Sequence, residues 1–560
     1  MSGEQDAFVC SVCELLDSGR CDDALTEILE DSNEHLVEGS CMELMRAVGG
    51  RMNVKNGQLA SQDWDSWAYM ESILEFLTKN CKPKEMLIAL MEQLECLAND
   101  RLFQLVSSLL KVTFIRLPDR RGDDTFSWAL NSLYCYVAAL PLGPSYAVDE
   151  QETSILENSA QLSRLEQCVT SVLLFCEPFV SEAKQCSRSV SPNLRLAKVL
   201  QLSSFLLKLL DRPVAYFQVN CRRPYKSAFD TAAETIVQML SDLTPNFFMK
   251  VVNWHSKGLL TVASSLSDEC SNKRGSVSKT ALGVLSYLIF SQGYCLSCWP
   301  CVYSTQFVFD LTAPFAVHLM TGPDAHLSKA VALLHATLSA LPSCSWTKNS
   351  LRLPLYQDVV FGLISVMQKC SLLSWRQKAL SSLGAFLERL DVSGQIALVT
   401  MVRGTSHSNR WCLGSCDGVL GWLLDWYRRQ LTDRPVYALH IRPMLDTFCT
   451  LPHAEQTDLL EHFEQLMAAL NLLRFLGLRS SDIELPSVLL ENIRHTFLTD
   501  LGRALDLSVA HYKLQLANHR NQVLVSKSEV DQGQDQLLQV ALTRFDLISS
   551  LLARVNQLFT

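Results

Sequence analysis

Leucine-rich stripes spaced by three and four residues recur along the chain from Met70 onward, each cut short by proline or glycine. KPKEMLIALMEQLECL carries Met86, Leu87, Leu90, Leu94 and Leu97 on one stripe, and Pro83 suits a first helical turn, where its missing N–H would have no partner anyway. RLFQLVSSLLKVTFIRL repeats the pattern and stops at Pro118 and Gly122; FSWALNSLYCYVAALPLGP makes a third helix ending at Pro141. Strict period-two alternation bounded by hairpin turns is missing, so strands have no place in the reading. The spacing predicts an all-α chain in which every helix must bury one apolar stripe.

Internal repetition indicates how those stripes are buried. SKTALGVLSYLIF from Ser278, SKAVALLHATLSAL from Ser328 and RQKALSSLGAFLERL from Arg376 each pair a lysine with small residues and a leucine stripe. Lys279, Lys329 and Lys378 lie 50 and 49 residues apart. WRQKALSSLGAFLERL resembles the second helix of a HEAT repeat, a unit of ~40–47 residues. Pairwise stacking buries one stripe per helix without a single giant core. The expectation is an α-solenoid of irregular HEAT-like helical repeats: an acidic helical segment or cap over 1–69, one repeat region over 70–390 and a second over 391–560. Loops are expected at Ala147–Ser154, Ser187–Pro192, Ser267–Ser276, Pro342–Ser350 and Leu478–Pro486. The polar stretch SKSEVDQGQDQ from Ser526 reads as a flexible loop before a capping helix with Phe545, Ile548, Leu552 and Val555 on one face.

Charge narrows the partners. The net charge of −9 is uneven: residues 1–100 sum to −13 and the remainder to +4. Phosphates attract lysine and arginine, so this balance argues against nucleic acid and anionic membrane, and the acidic segment reads first as a solvated face. At 48% hydrophobic residues the chain is expected to fold throughout most of its length. Apolar stretches such as VTSVLLFCEPFV from Val169 are shorter than the ~18–20 residues needed to span a bilayer. MSGEQDAFVC lacks a basic segment followed by an apolar one, so no secretory signal is read. The twenty cysteines are then expected to be reduced, most of them small buried hydrophobes, in a cytoplasmic protein.

Catalytic templates return nothing: the sequence holds no Walker A, no GxGxxG after a strand, no HExxH and no GxSxG. GSCDG at Gly414 lacks the strand–turn–helix context of a nucleophile elbow and reads as a loop. Cys10 and Cys13 form CSVC, and Cys295, Cys298 and Cys301 form CLSCWPC. Structural zinc needs four tetrahedral ligands, usually from two paired knuckles, and neither cluster has a second. Both read as ordinary thiols. His407, His440, His453, His462 and His511 are scattered without i, i+4 pairing. A non-enzyme without metal or cofactor is expected.

Ordered segments carry a family resemblance. CKPKEMLIALMEQLE from Cys81, SLLKV, WALNSLYCYVAALPLGPSY from Trp128 and CEPFVSE from Cys176 are similar to the N-terminal half of the glomulin family. MAALNLLRFLGLR from Met467, LSVAHY from Leu507 and FDLISSLLARVNQL from Phe545 are similar to its C-terminal half. The resemblance covers roughly residues 70–560 and not the first sixty. It implies a HEAT-like solenoid that binds the RING-box subunit of cullin–RING ubiquitin ligases through its C-terminal half. There it masks the surface that recruits the ubiquitin-conjugating enzyme. More weakly, it implies links to an FK506-binding immunophilin and the hepatocyte growth factor receptor. The alternative is a generic HEAT-repeat scaffold or adaptor, since one fold hosts many functions.

A RING surface sets apolar grooves beside charges, so partner-binding candidates are aromatic, arginine, asparagine and histidine residues of the C-terminal half. These are His407, Asn409, Arg410 and Trp411 in GTSHSNRW, Asn471 and Arg474 in NLLRFL, and His511 and Tyr512 in AHY. The competing reading makes Trp411 and Tyr512 core residues and pairs Arg474 with a neighbouring acid.

Overall fold

The computed structural model describes residues 2–53, 64–117, 124–142, 160–185, 192–219, 226–244, 246–257, 277–296, 303–404, 416–479, 486–526 and 532–559. Helix dominates. Among the described residues there is no strand, only an isolated parallel bridge between Trp346 and Leu390. The chain forms two compact units: Met1–Thr337 with Ser371–Ser374, and Leu338–Cys370 with Trp375–Thr560.

The first unit opens with α1 (Ser2–Asp17), α2 (Cys21–Leu29), α3 (Glu34–Gly39) and α4 (Cys41–Met52), followed by α5 (Trp64–Asn80) and α6 (Pro83–Glu95). It continues through α7 (Asp100–Arg116), α8 (Asp124–Ala139), α9 (Ala160–Gln185), α10 (Pro192–Asp211) and α11 (Ala228–Leu243). It ends with α12 (Phe247–Ser256), α13 (Lys279–Ser286), α14 (Thr305–Leu319) and α15 (Asp324–Ser339). The three helices read from leucine spacing are α6, α7 and α8, and Pro83 is the first residue of α6. Helices pack on the next but one as well as on the next: α4 on α6, α5 on α7, α7 on α9 and α9 on α11. This is the stacking of a helical-repeat array, in which each stripe is covered by its neighbours in sequence. Where α7, α8 and α9 meet, Phe114, Phe126, Phe175 and Phe179 interlock, with edge-on ring centroids 5.2 Å apart for Phe114–Phe126 and 5.1 Å for Phe126–Phe179.

The three aligned lysines do different work. Lys279 begins α13 on the surface, and Lys378 lies half-buried beside Trp375. Lys329, inside α15, is fully buried. Its Nζ donates to the carbonyl oxygens of Ala215 and Phe217, both at 2.7 Å, and of Ala325 at 3.3 Å. It thereby holds the turn after α10 against α15. Burial pushes the ammonium down to about 7 from its ordinary 10.5. Lys329→Met leaves buried carbonyls without donors and is expected to cost about 2–4 kcal/mol in chemical denaturation at neutral pH. Between pH 7 and 10.5 the unfolded chain binds more protons at this site, so wild-type stability rises with pH there. That part of the rise is expected to be absent from Lys329→Met.

The second unit comprises α16 (Pro354–Lys369), α17 (Leu373–Arg389), α18 (Val392–Gly404), α19 (Asp417–Asp433), α20 (Ile441–Phe448), α21 (Phe463–Leu478), α22 (Ser487–Ile493), α23 (Thr499–Ser526) and α24 (Gln532–Leu558). The expected loop Pro342–Ser350 is anchored: Trp346 N donates to Arg389 O at 2.8 Å and Asp391 N to Trp346 O at 2.7 Å. The buried indole packs against Tyr356 and Phe386. Of the polar stretch from Ser526, the described residues are helical at both ends. Helix resumes at Gln532, and Asp535 meets Arg520 of α23 at 3.3 Å. Residues 527–531 lie outside the described residues, as do 147–154, 187–191, 267–276 and 480–485 of the other expected loops. Phe545, Ile548, Leu552 and Val555 are buried along α24, as its spacing requires.

Helices α19 and α21 approach closely because Gly421 has no side chain. A Cβ there would stand 2.9 Å from the backbone carbonyl oxygen of Glu464. Backbone cannot rotate aside as a side chain can. Gly421→Ala is therefore expected to destabilise the second unit by about 1–3 kcal/mol despite alanine's better helix propensity, measured by thermal or urea unfolding.

Candidate functional site

Helices α23 and α24 pack along each other, and α24 also covers α21. Their inner faces supply Leu501, Ala504 and Leu505 from α23 and Phe545, Ile548 and Leu552 from α24. On α23, the residues one turn further round meet a different neighbour, the short 3-10 turn Ala454–Gln456. Ala454 has φ of +48°, and Thr457 locks the turn: its hydroxyl donates to Ala454 O at 2.8 Å and accepts from His453 N at 3.1 Å.

Between this turn and α23 lies an open cavity of about 340 Å³, lined by Glu455, Gln456, Thr457, Asp458, Leu507, Ser508, His511, Tyr512 and Phe545. That volume is at the lower end for a ligand pocket and suits an inserted side chain. Phe545 is buried at its floor, and Tyr512 stands edge-on to it with centroids 5.3 Å apart. His511 Nε2 lies 2.9 Å from Gln515 Nε2. Leu507 is 56% exposed, and Leu514, two turns on, is 61% exposed. The opposite wall is acidic. Glu455 and Asp458 are exposed, and neither forms an ion pair among the described residues. Asp458 Oδ1 accepts from the Leu460 and Glu461 amides at 2.9 and 3.2 Å, which fixes its carboxylate at the rim.

Of the residues singled out in the sequence, this groove brings together His511 and Tyr512. Asn471 and Arg474 lie on α21, exposed and half-buried respectively, and do not line it. Arg474 has no ion-pair partner among the described residues. His407, Asn409, Arg410 and Trp411 lie outside the described residues. Sequence reasoning missed Glu455–Asp458, Leu507 and Ser508. LPHAEQTD carries no periodic signal, and only the packing of that turn on α23 makes it a wall.

A second polar feature closes the starts of α19 and α21. His462 Nδ1 lies 3.1 Å from Asp417 Oδ2, and the Asp417 side chain is 8% exposed. The hydrogen bond to Asp417 raises the His462 pKa from its ordinary 6.5, against burial, which lowers it. The folded protein thus holds this proton more tightly than the unfolded chain. The stabilisation is complete below pH 6.5 and is lost as pH rises through the folded value. Urea-unfolding midpoints of wild type are expected to fall across that window, and His462→Gln is expected to remove that part of the slope.

Metal chemistry finds no geometry: among the described residues no group of three histidine, cysteine or acidic side chains could hold an ion. Cys10 is exposed and Cys13 half-buried on α1; Cys295 is half-buried, and Cys298 and Cys301 lie outside the described residues. Among the described residues no helix is long and apolar enough to cross a membrane.

Comparison with known proteins agrees with the helical architecture. A family model described as an uncharacterised protein family, YAP/Alf4/glomulin, matches residues 13–212. The chain is 27% identical to glomulin of Mus musculus over 518 residues, covering 87% of this chain and 83% of that protein. It is 26% identical to glomulin of Homo sapiens over 514 residues, covering 87% and 82%. The family match starts well before residue 70, so the similarity reaches further into the acidic N-terminal segment than the quoted motifs indicated.

Proposed function

We propose that this chain, a relative of the glomulins over most of its length, is a non-catalytic cytoplasmic regulator of cullin–RING ubiquitin ligases. It binds the RING-box subunit and covers the surface that recruits the ubiquitin-conjugating enzyme, so that ubiquitin transfer stops. The observation carrying this reading is the extent of the similarity. An alignment over 87% of the chain cannot omit a region as long as 391–560, where the family resemblance locates RING binding.

The physical features support it. Occlusion needs area and complementarity rather than reactive groups, roughly 800 Å² per partner with a few dominant anchors. Stacked helices offer such an area, and the second unit exposes large apolar residues on α22, α23 and α24, among them Val488, Leu507, Leu514, Leu537, Val540 and Leu547. Two proteins that need the same RING surface exclude each other, so inhibition depends on concentration and affinity alone. No cofactor enters. His407, Asn409, Arg410, Trp411, Asn471, Arg474, His511 and Tyr512 remain the proposed contact set, with His511 and Tyr512 the two that share a groove.

The 560-residue chain, titrated into a RING-box–cullin complex supplied with charged ubiquitin-conjugating enzyme, is expected to bind and to suppress ubiquitin-chain formation. Excess conjugating enzyme is expected to restore activity, as competition for one surface requires. Unchanged chain formation at saturating concentration would sink the proposal and leave a helical-repeat adaptor with another partner.

A further inference from the structure

The groove between the 454–458 turn and α23 has two chemically distinct walls. One is apolar and aromatic: Leu507, Tyr512 and, at the floor, Phe545. The other carries two carboxylates, Glu455 and Asp458, both exposed and neither ion-paired among the described residues. An apolar wall alone says little about its occupant, and acidic residues alone are usually just solvated. Together, across a cavity of about 340 Å³, they define a composite preference. An apolar side chain displaces water from Leu507 and the half-buried Tyr512, over a floor that Phe545 already fills. A cation beside it reaches the exposed rim carboxylates, where the pairing is screened by salt and serves selectivity. Arginine or lysine fits this geometry, since the aliphatic stem lies along apolar surface while the charged head stays at the wet edge. An acidic partner segment meets the same rim as repulsion.

We propose that this groove receives an apolar side chain of the partner with an arginine or lysine close to it in space, the cation pairing with Glu455 and Asp458. The inference rests on the RING-box reading for the identity of the partner, but not for the chemistry of the groove. Leu507 and Tyr512 thereby act as anchor residues, and Glu455 and Asp458 select for positive charge.

The test uses the whole 560-residue chain in two arms. In the first, binding to the RING-box–cullin complex is measured for wild type, Leu507→Ala and the double variant Glu455→Gln with Asp458→Asn. The asparagine keeps an oxygen for the Leu460 and Glu461 amides, so the turn is retained. Leu507→Ala is expected to weaken binding about tenfold. The double variant is expected to weaken it about fivefold at low salt and to flatten the salt dependence. Wild-type binding with both variants unchanged overturns the groove assignment while leaving the RING-box reading intact.

In the second arm, N-acetyl-leucyl-arginine amide and N-acetyl-leucyl-glutamate amide are compared by saturation-transfer NMR against wild type and the double variant. The arginine probe is expected to bind wild type and lose signal with the double variant, and the glutamate probe to show no binding. Equal signal from the arginine probe with both proteins, or no signal from either, overturns the proposed preference even if the RING-box complex itself does not bind.

Discussion

A helix with one apolar stripe cannot stand alone in water, and nearly every helix of this chain carries one. The free energy of burying a stripe is obtained only when another helix supplies a matching surface. With short breaks between helices, the nearest surface belongs to the next helix or the next but one. The packing of α4 on α6, α5 on α7, α7 on α9 and α9 on α11 follows from that. So does the close contact at Gly421, where α19 and α21 approach until a single added carbon would meet backbone. Each helix is therefore held by its sequence neighbours, and the surface away from the contacts remains available for other purposes.

Stacking of this kind brings polar groups into places where water cannot reach them, and the charged ones find partners on other segments. Lys329 satisfies its three donors with three carbonyls rather than with a carboxylate. Asp100, buried at the start of α7, accepts from Tyr136 at 2.9 Å and pairs with Arg164. Asp417 takes His462. These contacts join helices separated by tens to more than a hundred residues, so they fix which helix meets which. A purely apolar interface would tolerate slippage along the stripe; a buried ammonium held by Ala215, Phe217 and Ala325 does not.

The groove on the second unit sets two chemically different surfaces side by side. Its apolar wall is the continuation of a packed helix face, and its acidic wall is a turn locked by Thr457. Neither element is unusual alone. Their juxtaposition places a partly exposed apolar wall beside two carboxylates that form no ion pair among the described residues.

The all-α fold, the positions of α6, α7 and α8, the buried face of α24 and the similarity to glomulins were legible in the residues themselves. Periodicity of apolar residues is a local property, and ordered motifs survive as strings. The fate of the three spaced lysines was not legible. Lys279, Lys329 and Lys378 look equivalent in sequence, yet only Lys329 is enclosed, because enclosure depends on the turn at Ala215–Phe217 more than a hundred residues away. The groove was half legible: His511 and Tyr512 stood out by residue type, while Glu455–Asp458 had no pattern to mark them. Sequence alone determined which stripes had to be buried. Tertiary structure decided which distant segments met to bury them and what chemistry was left facing outward, because contacts between segments far apart in the chain leave no period in either one.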